Sequence, residues 1–320
     1  MQAMNRICTA SRSSGRARLL AFVAATVVSA TLPQAACNQA SAQKAPAQAD
    51  WGPVDQALGR SGKTQPDGVQ RYSFPRSDLS VVLDGVTIKP ALALGSWLAF
   101  EQTGKSATVM GDLVLTQDEV NPVMAELLKD GISVTGIHNH LLRSSPLPMY
   151  MHVEGHGDAS TLARELHTAL ALSKTPLGPP AAAVQTPLNI DTAALDRALA
   201  AKGKANGGVY QFTVARAEKI VEGDMIVGAF MGAGTAINFQ PLSGGKAAVT
   251  GDFVLLAKEV DPVMRALRSG GIDVTALHSH MLGEQPTIYF MHFWAVGGAS
   301  QFATTLRRAL DLTNVERSGV

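Results

Sequence analysis

Apolar and polar positions recur with two different periods along this chain, and the switches between them mark out elements. Val69–Phe74 and Val209–Val214 alternate with the period of a strand, and further strand-like runs cover Val81–Ile88, Trp97–Gln102 and Ala107–Leu115. Gly52–Gly59 and Thr192–Ala201 carry short helical patterns instead. A longer helix is predicted to start with Asn121 as N-cap and Pro122 at its first position. It runs through Val123, Met124 and Leu127 and stops at Gly131; Asp261-Pro262 repeats the device. Beyond it the pattern predicts a strand Ile132–His140, a loop with Pro146, and a strand Pro148–Val153. A last amphipathic helix follows, with Leu162, Ala163, Leu166, Ala169 and Leu170 on one face. Consecutive strands with short connections favour a mainly antiparallel sheet with helices packed on it, an α+β fold.

This succession occurs twice. Gly104–Leu170 aligns without gaps to Gly244–Leu310 at a constant offset of 140, with 30 of 67 positions identical. Gly111-Asp112 matches Gly251-Asp252, Glu119-Val120 matches Glu259-Val260, and Pro122-Val123-Met124 matches Pro262-Val263-Met264. Between the copies, Pro176, Pro179, Pro180 and Pro187 mark an extended linker. Two homologous domains follow, each large enough for its own core.

The start of the chain follows neither pattern. Arg6, Arg12, Arg16 and Arg18 precede an apolar run, Leu19–Leu32, and no acidic residue occurs before Asp50. Such a run is short of the roughly 20 residues a membrane-spanning helix needs, and Ala40-Ser41-Ala42 supplies a small-x-small site for cleavage before Gln43. The expected divisions are therefore a signal peptide at 1–42, a tether at 43–50 and a first repeat domain at 51–172. A linker at 173–191, a second repeat domain at 192–313 and a tail at 314–320 complete them. Two readings compete with cleavage: an uncut N-terminal membrane anchor, and lipidation at Cys37, where Leu32-Pro33-Gln34-Ala35-Ala36-Cys37 resembles a lipobox except at Gln34. The expected location is the periplasm or another extracytoplasmic space.

Charge and cysteine content narrow the classes. The net charge is +1, and cleavage after Ala42 removes four arginines and no acids, taking it to −3. That argues against nucleic acid as a partner and leaves membrane attachment to a lipid anchor. Two cysteines, Cys8 and Cys37, supply neither a disulfide framework nor a thiolate zinc site. No phosphate-binding loop, dinucleotide fingerprint, nucleophile elbow or H-E-x-x-H motif occurs, so no nucleotide cofactor is expected. Homo-oligomerisation stays open.

Chemistry concentrates on histidine. Six of eight histidines fall at three equivalent positions: His138, His140 and His152 in the first copy, His278, His280 and His292 in the second. Residues i and i+2 of a strand share a face. His138 and His140 are therefore expected side by side, on the inward face of Ile132 and Val134, with His152 opposite on the next strand. Three imidazoles converging in each copy would make a metal site, with zinc the best fit and copper, manganese or iron the other divalent choices. The plain alternative is a set of histidines satisfied by backbone and by one another. His156 and Glu154 exist only in the first copy, where they could extend the cluster. Phe290 and Trp294 share the His292 face, where they could dry a site in the second. Within the aligned stretch, Asp112/Asp252 and Glu119/Glu259 are the carboxylates present in both copies. Thr116-x-x-Glu119 reads as a capping box, yet Leu256 replaces the threonine while Glu259 remains.

The stretch Val274-Thr275-Ala276-Leu277-His278-Ser279-His280-Met281-Leu282, with Gln285-Pro286 and Tyr289-Phe290-Met291-His292-Phe293-Trp294 after it, resembles the LppY/LpqO-like bacterial family. The likeness spans about Trp51 to Thr313, and the second copy matches better than the first, which departs at Leu141, Arg143 and Tyr150–Glu154. The resemblance implies export, often as a lipoprotein, and tandem copies of a domain of unknown function. Two function classes follow from the residues. One is an extracytoplasmic metal- or ligand-binding protein with a sensing or envelope role. The other is a metal-dependent hydrolase using a metal-bound water, with Glu119 or Glu259 as general base.

Overall fold

Strand alternation and helix signals build the same succession twice in the computed structural model, which describes residues 49–179 and 187–316. The segment expected to be a signal peptide, with its expected cleavage site and Cys37, lies outside the described residues. The first repeat runs α1 (Gly52–Leu58), β1 (Lys63–Thr64), β2 (Gln70–Pro75), β3 (Val82–Leu83), β4 (Val86–Thr87), α2 (Pro90–Ala93), β5 (Gly95–Thr103) and β6 (Ser106–Leu115). It ends with α3 (Gln117–Lys129), β7 (Ser133–His138), β8 (Met149–Gly157) and α4 (Ala159–Leu170). The second runs α5 (Thr192–Leu199), β9 (Lys204–Asn206), β10 (Val209–Val214), β11 (Val221–Glu222), β12 (Met225–Ile226), β13 (Thr235–Pro241) and β14 (Lys246–Leu256). Then come α6 (Ala257–Ser269), β15 (Asp273–His278), β16 (Ile288–Gly298) and α7 (Ala299–Leu310). Each repeat holds one six-stranded antiparallel sheet, ordered β1-β2-β5-β6-β8-β7 and β15-β16-β14-β13-β10-β9. The class is α+β, as the pattern predicts. None of the described helices is long and apolar enough to cross a membrane.

Both faces of the central strands are covered, which explains why β6 is buried along almost its whole length. One face carries Leu98, Phe100, Val109, Leu113, Met151 and Val153 and packs under α1, α3 and α4 through Val54, Leu58, Val123, Leu127, Leu162 and Leu166. The second repeat repeats this with Phe239, Val249, Phe253 and Phe293 under α5, α6 and α7. The opposite faces meet across the repeats. Val81, Leu83, Val114 and Tyr150 pack with Val209, Ala248 and Trp294, while Val69, Ala99 and Met110 pack with Ile220, Met225 and Phe290. The two repeats belong to a single compact unit, with helices outside and two sheet faces buried together inside. Gly111 and Gly251 fit that packing: a Cβ at Gly251 would lie 2.0 Å from the Ala236 carbonyl oxygen, and one at Gly111 would lie 2.8 Å from that of Trp97.

Beyond the division of the Val81–Ile88 run into the short hairpin of β3 and β4, two sequence expectations change here. The helix predicted from Asn121 begins a full turn earlier, at Gln117, and Pro122 sits inside it. The side chain of Glu119 explains the earlier start, accepting the Thr116 backbone N–H (2.8 Å) while Arg76 holds its carboxylate. Glu259 does the same for the Leu256 N–H (2.8 Å), so the cap survives the loss of the threonine. The second change concerns the histidine strand. It ends at His138, leaving His140 in the following loop, and a bulge between Val134 and Gly136 shifts the register. Val134 pairs with Val153 on the helix-covered face, but Gly136 and His138 pair with His152 and Tyr150, on the face turned to the other repeat. His138 therefore lies on the face opposite Val134. The same bulge between Val274 and Ala276 turns His278.

Candidate metal centre between the repeats

On that inter-repeat face, alternation along β6 and β8 places Asp112 directly opposite His152; β14 and β16 place Asp252 opposite His292. The bulges add His138 and His278 at their strand ends, and the loops that follow bring His140 and His280 back onto them. His140 Nε2 lies 2.8 Å from His138 Nε2, and His280 Nε2 lies 3.0 Å from His278 Nε2. Thr135, the bulged residue, donates its hydroxyl to the His280 carbonyl across the interface (2.5 Å).

All six histidines form one cluster shared by the repeats. The rings of His138 and His278 lie 3.6 Å apart, centroid to centroid. On either side runs a column of rings: Tyr150, His140 and His292 with spacings of 3.5 and 3.7 Å, and Phe290, His280 and His152 with spacings of 3.3 and 3.7 Å. Exchanging each residue for its counterpart at the 140 offset turns the first column into the second, with Phe290 in place of Tyr150. The contact is therefore isologous, with the His138–His278 pair at its pseudo-twofold. Phe290 does wall the site, against His280. Trp294 packs in the apolar interface and donates its indole N–H to Asp84 (3.0 Å).

Donor atoms converge in four overlapping groups, each with all its atoms within 4.8 Å of one another. Two are four-histidine sets, His138/His152/His278/His280 and His138/His140/His278/His292; two are mixed, Asp112/His140/His152 and Asp252/His280/His292. Such groupings can hold a metal ion. Sequence reasoning places Asp112 and Asp252 among the shared carboxylates without joining them to the histidines. The missing signal is the pairing of β6 with β8, which the linear sequence does not spell out.

Burial sets the protonation states. It depresses the imidazoles of His140, His152, His280 and His292 well below the usual histidine range, and their histidine neighbours push the same way. It brings His138 down to about 4 and His278 to about 3. All six are neutral at pH 7, the form that binds metal. The same burial raises Asp112 to about 8 against the opposing pull of Arg71, and raises Asp252 well above the carboxylate range with Asp112 adding to the effect. Arg71 lies with its guanidinium 4.0 Å over the Trp97 ring and donates to the Phe230 carbonyl (2.9 Å). Its counterpart at the 140 offset is Gln211, which donates to the Ala91 carbonyl (2.7 Å).

The remaining candidates lie elsewhere. Glu119 accepts from both terminal nitrogens of the buried Arg76 (2.8 and 3.1 Å) and from the Lys174 N–H (2.8 Å), and Glu259 accepts in the same way from Arg216. Neither joins a donor group with the histidines. Their carboxylates serve the ion pair and the helix start. His156 does not extend the cluster: it is exposed and pairs with Glu154 and Thr108, each at 2.9 Å.

The fold and site define a class: tandem α+β repeats sharing a buried histidine–aspartate cluster. By sequence the chain belongs to the family described as Domain of Unknown Function (DUF1259), whose model matches residues 52–172 and 193–312. No curated protein matches it. Among solved structures, the chain is similar to the trimeric bacterial microcompartment shell protein PduB, with 11% identity, 80% of this chain and 91% of that one covered, and a TM-score of 0.21. It is also similar to EtuB from Clostridium kluyveri, with 9% identity, 78% and 88% covered, and a TM-score of 0.19.

Proposed function

We propose that this is an exported protein that binds a divalent transition metal in the centre between its repeats. One observation carries the reading. Asp112 Oδ1, His152 Nε2, Asp252 Oδ1, His278 Nδ1 and His292 Nε2 are all buried without a hydrogen-bond partner, and all belong to the same cluster. Buried polar atoms are almost always paired, and leaving one unpaired costs about 1–3 kcal/mol. Each of the five residues belongs to at least one of the converging donor groups, and cation binding within those groups accounts for such a concentration of unpaired atoms. Imidazole nitrogen and carboxylate oxygen without thiolate suit zinc best, with iron, manganese and copper as the other divalent candidates.

The N-terminal segment and the LppY/LpqO-like resemblance support export, with cleavage before Gln43 or lipidation at Cys37, and a binding or sensing role in the cell envelope. The hydrolase alternative loses support, because Glu119 and Glu259, its proposed bases, are held by Arg76 and Arg216. Metal analysis of untagged protein beside the His278→Ala/His280→Ala/His292→Ala variant tests the reading. Bound metal in the parent and a reduced metal content in the variant are expected. A parent that is metal-free as purified and takes up no zinc, iron, manganese or copper would overturn it.

A further inference from the structure

Resting on the metal-binding reading, we infer that the centre takes two ions, one at Asp112/His140/His152 and one at Asp252/His280/His292. Each set is the two-histidine, one-carboxylate combination used for divalent first-row metals. Each combines a β-pair, aspartate against histidine, with a histidine from the loop of the same repeat. His138 and His278 stand between them and reach both.

Distances in the second repeat fit an ion and not a hydrogen bond. Asp252 Oδ1 lies 3.7 Å from His292 Nε2, and Asp252 Oδ2 lies 3.8 Å from His280 Nε2. Both are too long for a hydrogen bond. Two ligands on one zinc, each bonded at about 2.1 Å in tetrahedral geometry, stand roughly 3.4 Å apart. The carboxylate thus spans two imidazole nitrogens at nearly the separation of co-ligands, using one oxygen toward each.

A single ion in one of the four-histidine sets is the competing arrangement, and it explains less. Either four-histidine set could hold it, yet both sets omit the aspartates. Asp112 Oδ1 and Asp252 Oδ1 would then stay buried and unpartnered on both sides of an occupied site. One ion per repeat partners both carboxylates and keeps the symmetry of the contact.

Equilibrium dialysis of the full, untagged, metal-stripped chain against zinc alone, with metal and protein both quantified, decides between them. Two zinc ions per chain are expected in the parent. One is expected in Asp112→Asn and in Asp252→Asn, and none in the double variant at the same free zinc, with at least a tenfold loss of affinity at each altered site. Circular dichroism checks the fold of each variant. Should a variant fail to fold, titrating the parent with cobalt(II) distinguishes the same two arrangements, a break in absorbance at two equivalents supporting the inference. One ion per chain by either method overturns it while leaving the metal-binding reading intact. Two ions retained by the folded double variant overturn it as well. A parent that binds no zinc overturns both.

Discussion

His138 and His278 occupy the same position in their repeats, the last residue of a bulged strand, and their rings meet across the interface at 3.6 Å. Neither repeat alone completes either four-histidine group. The pair joins the two halves of the cluster across the interface, and a metal ion held there would stabilise the folded chain over the unfolded one.

Zinc should therefore raise the melting temperature of the stripped protein. At free zinc 100-fold above the dissociation constant, one site contributes about 2.7 kcal/mol. For a chain of this size each kcal/mol is worth roughly 2–4 °C, giving an expected rise of about 5–10 °C for each ion bound. Differential scanning fluorimetry with and without chelator measures it, and the Asp112→Asn/Asp252→Asn variant should lose most of the increment.

Asp112 predicts a pH dependence in the metal-free protein. Its folded-state value is raised to about 8 from a usual carboxylate value near 3.9. Between these limits the folded state holds a proton that the unfolded state has released, so this group's contribution is fully present below about pH 3.9 and is lost as pH rises through about 8. Metal-free wild type should lose stability relative to Asp112→Asn across that window. Urea melts of the two proteins from pH 5 to pH 8.5 read the difference, and saturating zinc should abolish it, because a bound cation favours the ionised carboxylate.

Glu119 predicts the reverse sign and no effect on metal. The Arg76 guanidinium and backbone N–H groups hold its pKa below the usual glutamate value despite burial. Its stabilisation is present above the unfolded value and disappears as pH falls through the depressed one. Glu119→Gln should destabilise by about 3–5 kcal/mol at pH 7, the cost of breaking a buried ion pair. Zinc stoichiometry should be unchanged, measured on folded protein at low temperature. A loss of zinc with no loss of stability would instead make Glu119 a ligand.

Export predicts the mature terminus. N-terminal sequencing of protein recovered from outside the cytoplasm should begin at Gln43, or find a blocked Cys37 if the chain is lipidated.

Much of this is legible in the sequence for identifiable reasons. The 30 identities in Gly104–Leu170 announce two copies of one fold, and the alternation in Val69–Phe74 and Val209–Val214 announces strands that the structure contains. The six histidines stand out because they recur at one offset. Their common locus does not, because it depends on tertiary contacts: the bulge at Thr135 reverses the side of the sheet that His138 faces, and no residue type demands a bulge there. Asn121-Pro122 reads as a helix start because proline favours a first position. The capping carboxylate of Glu119, held by Arg76 from 43 residues upstream, moves the start to Gln117. Strand pairing likewise brings Asp112 to His152 across 40 positions of sequence.

Joining the repeats in one chain has a consequence for how the centre behaves on dilution. A site divided between two separate subunits empties when protein concentration falls below the subunit dissociation constant. Here the halves are tethered through residues 173–191, and a short tether holds its ends at an effective concentration in the millimolar range. The tethered halves would keep the centre assembled at any abundance of the protein, so dilution alone would not empty it.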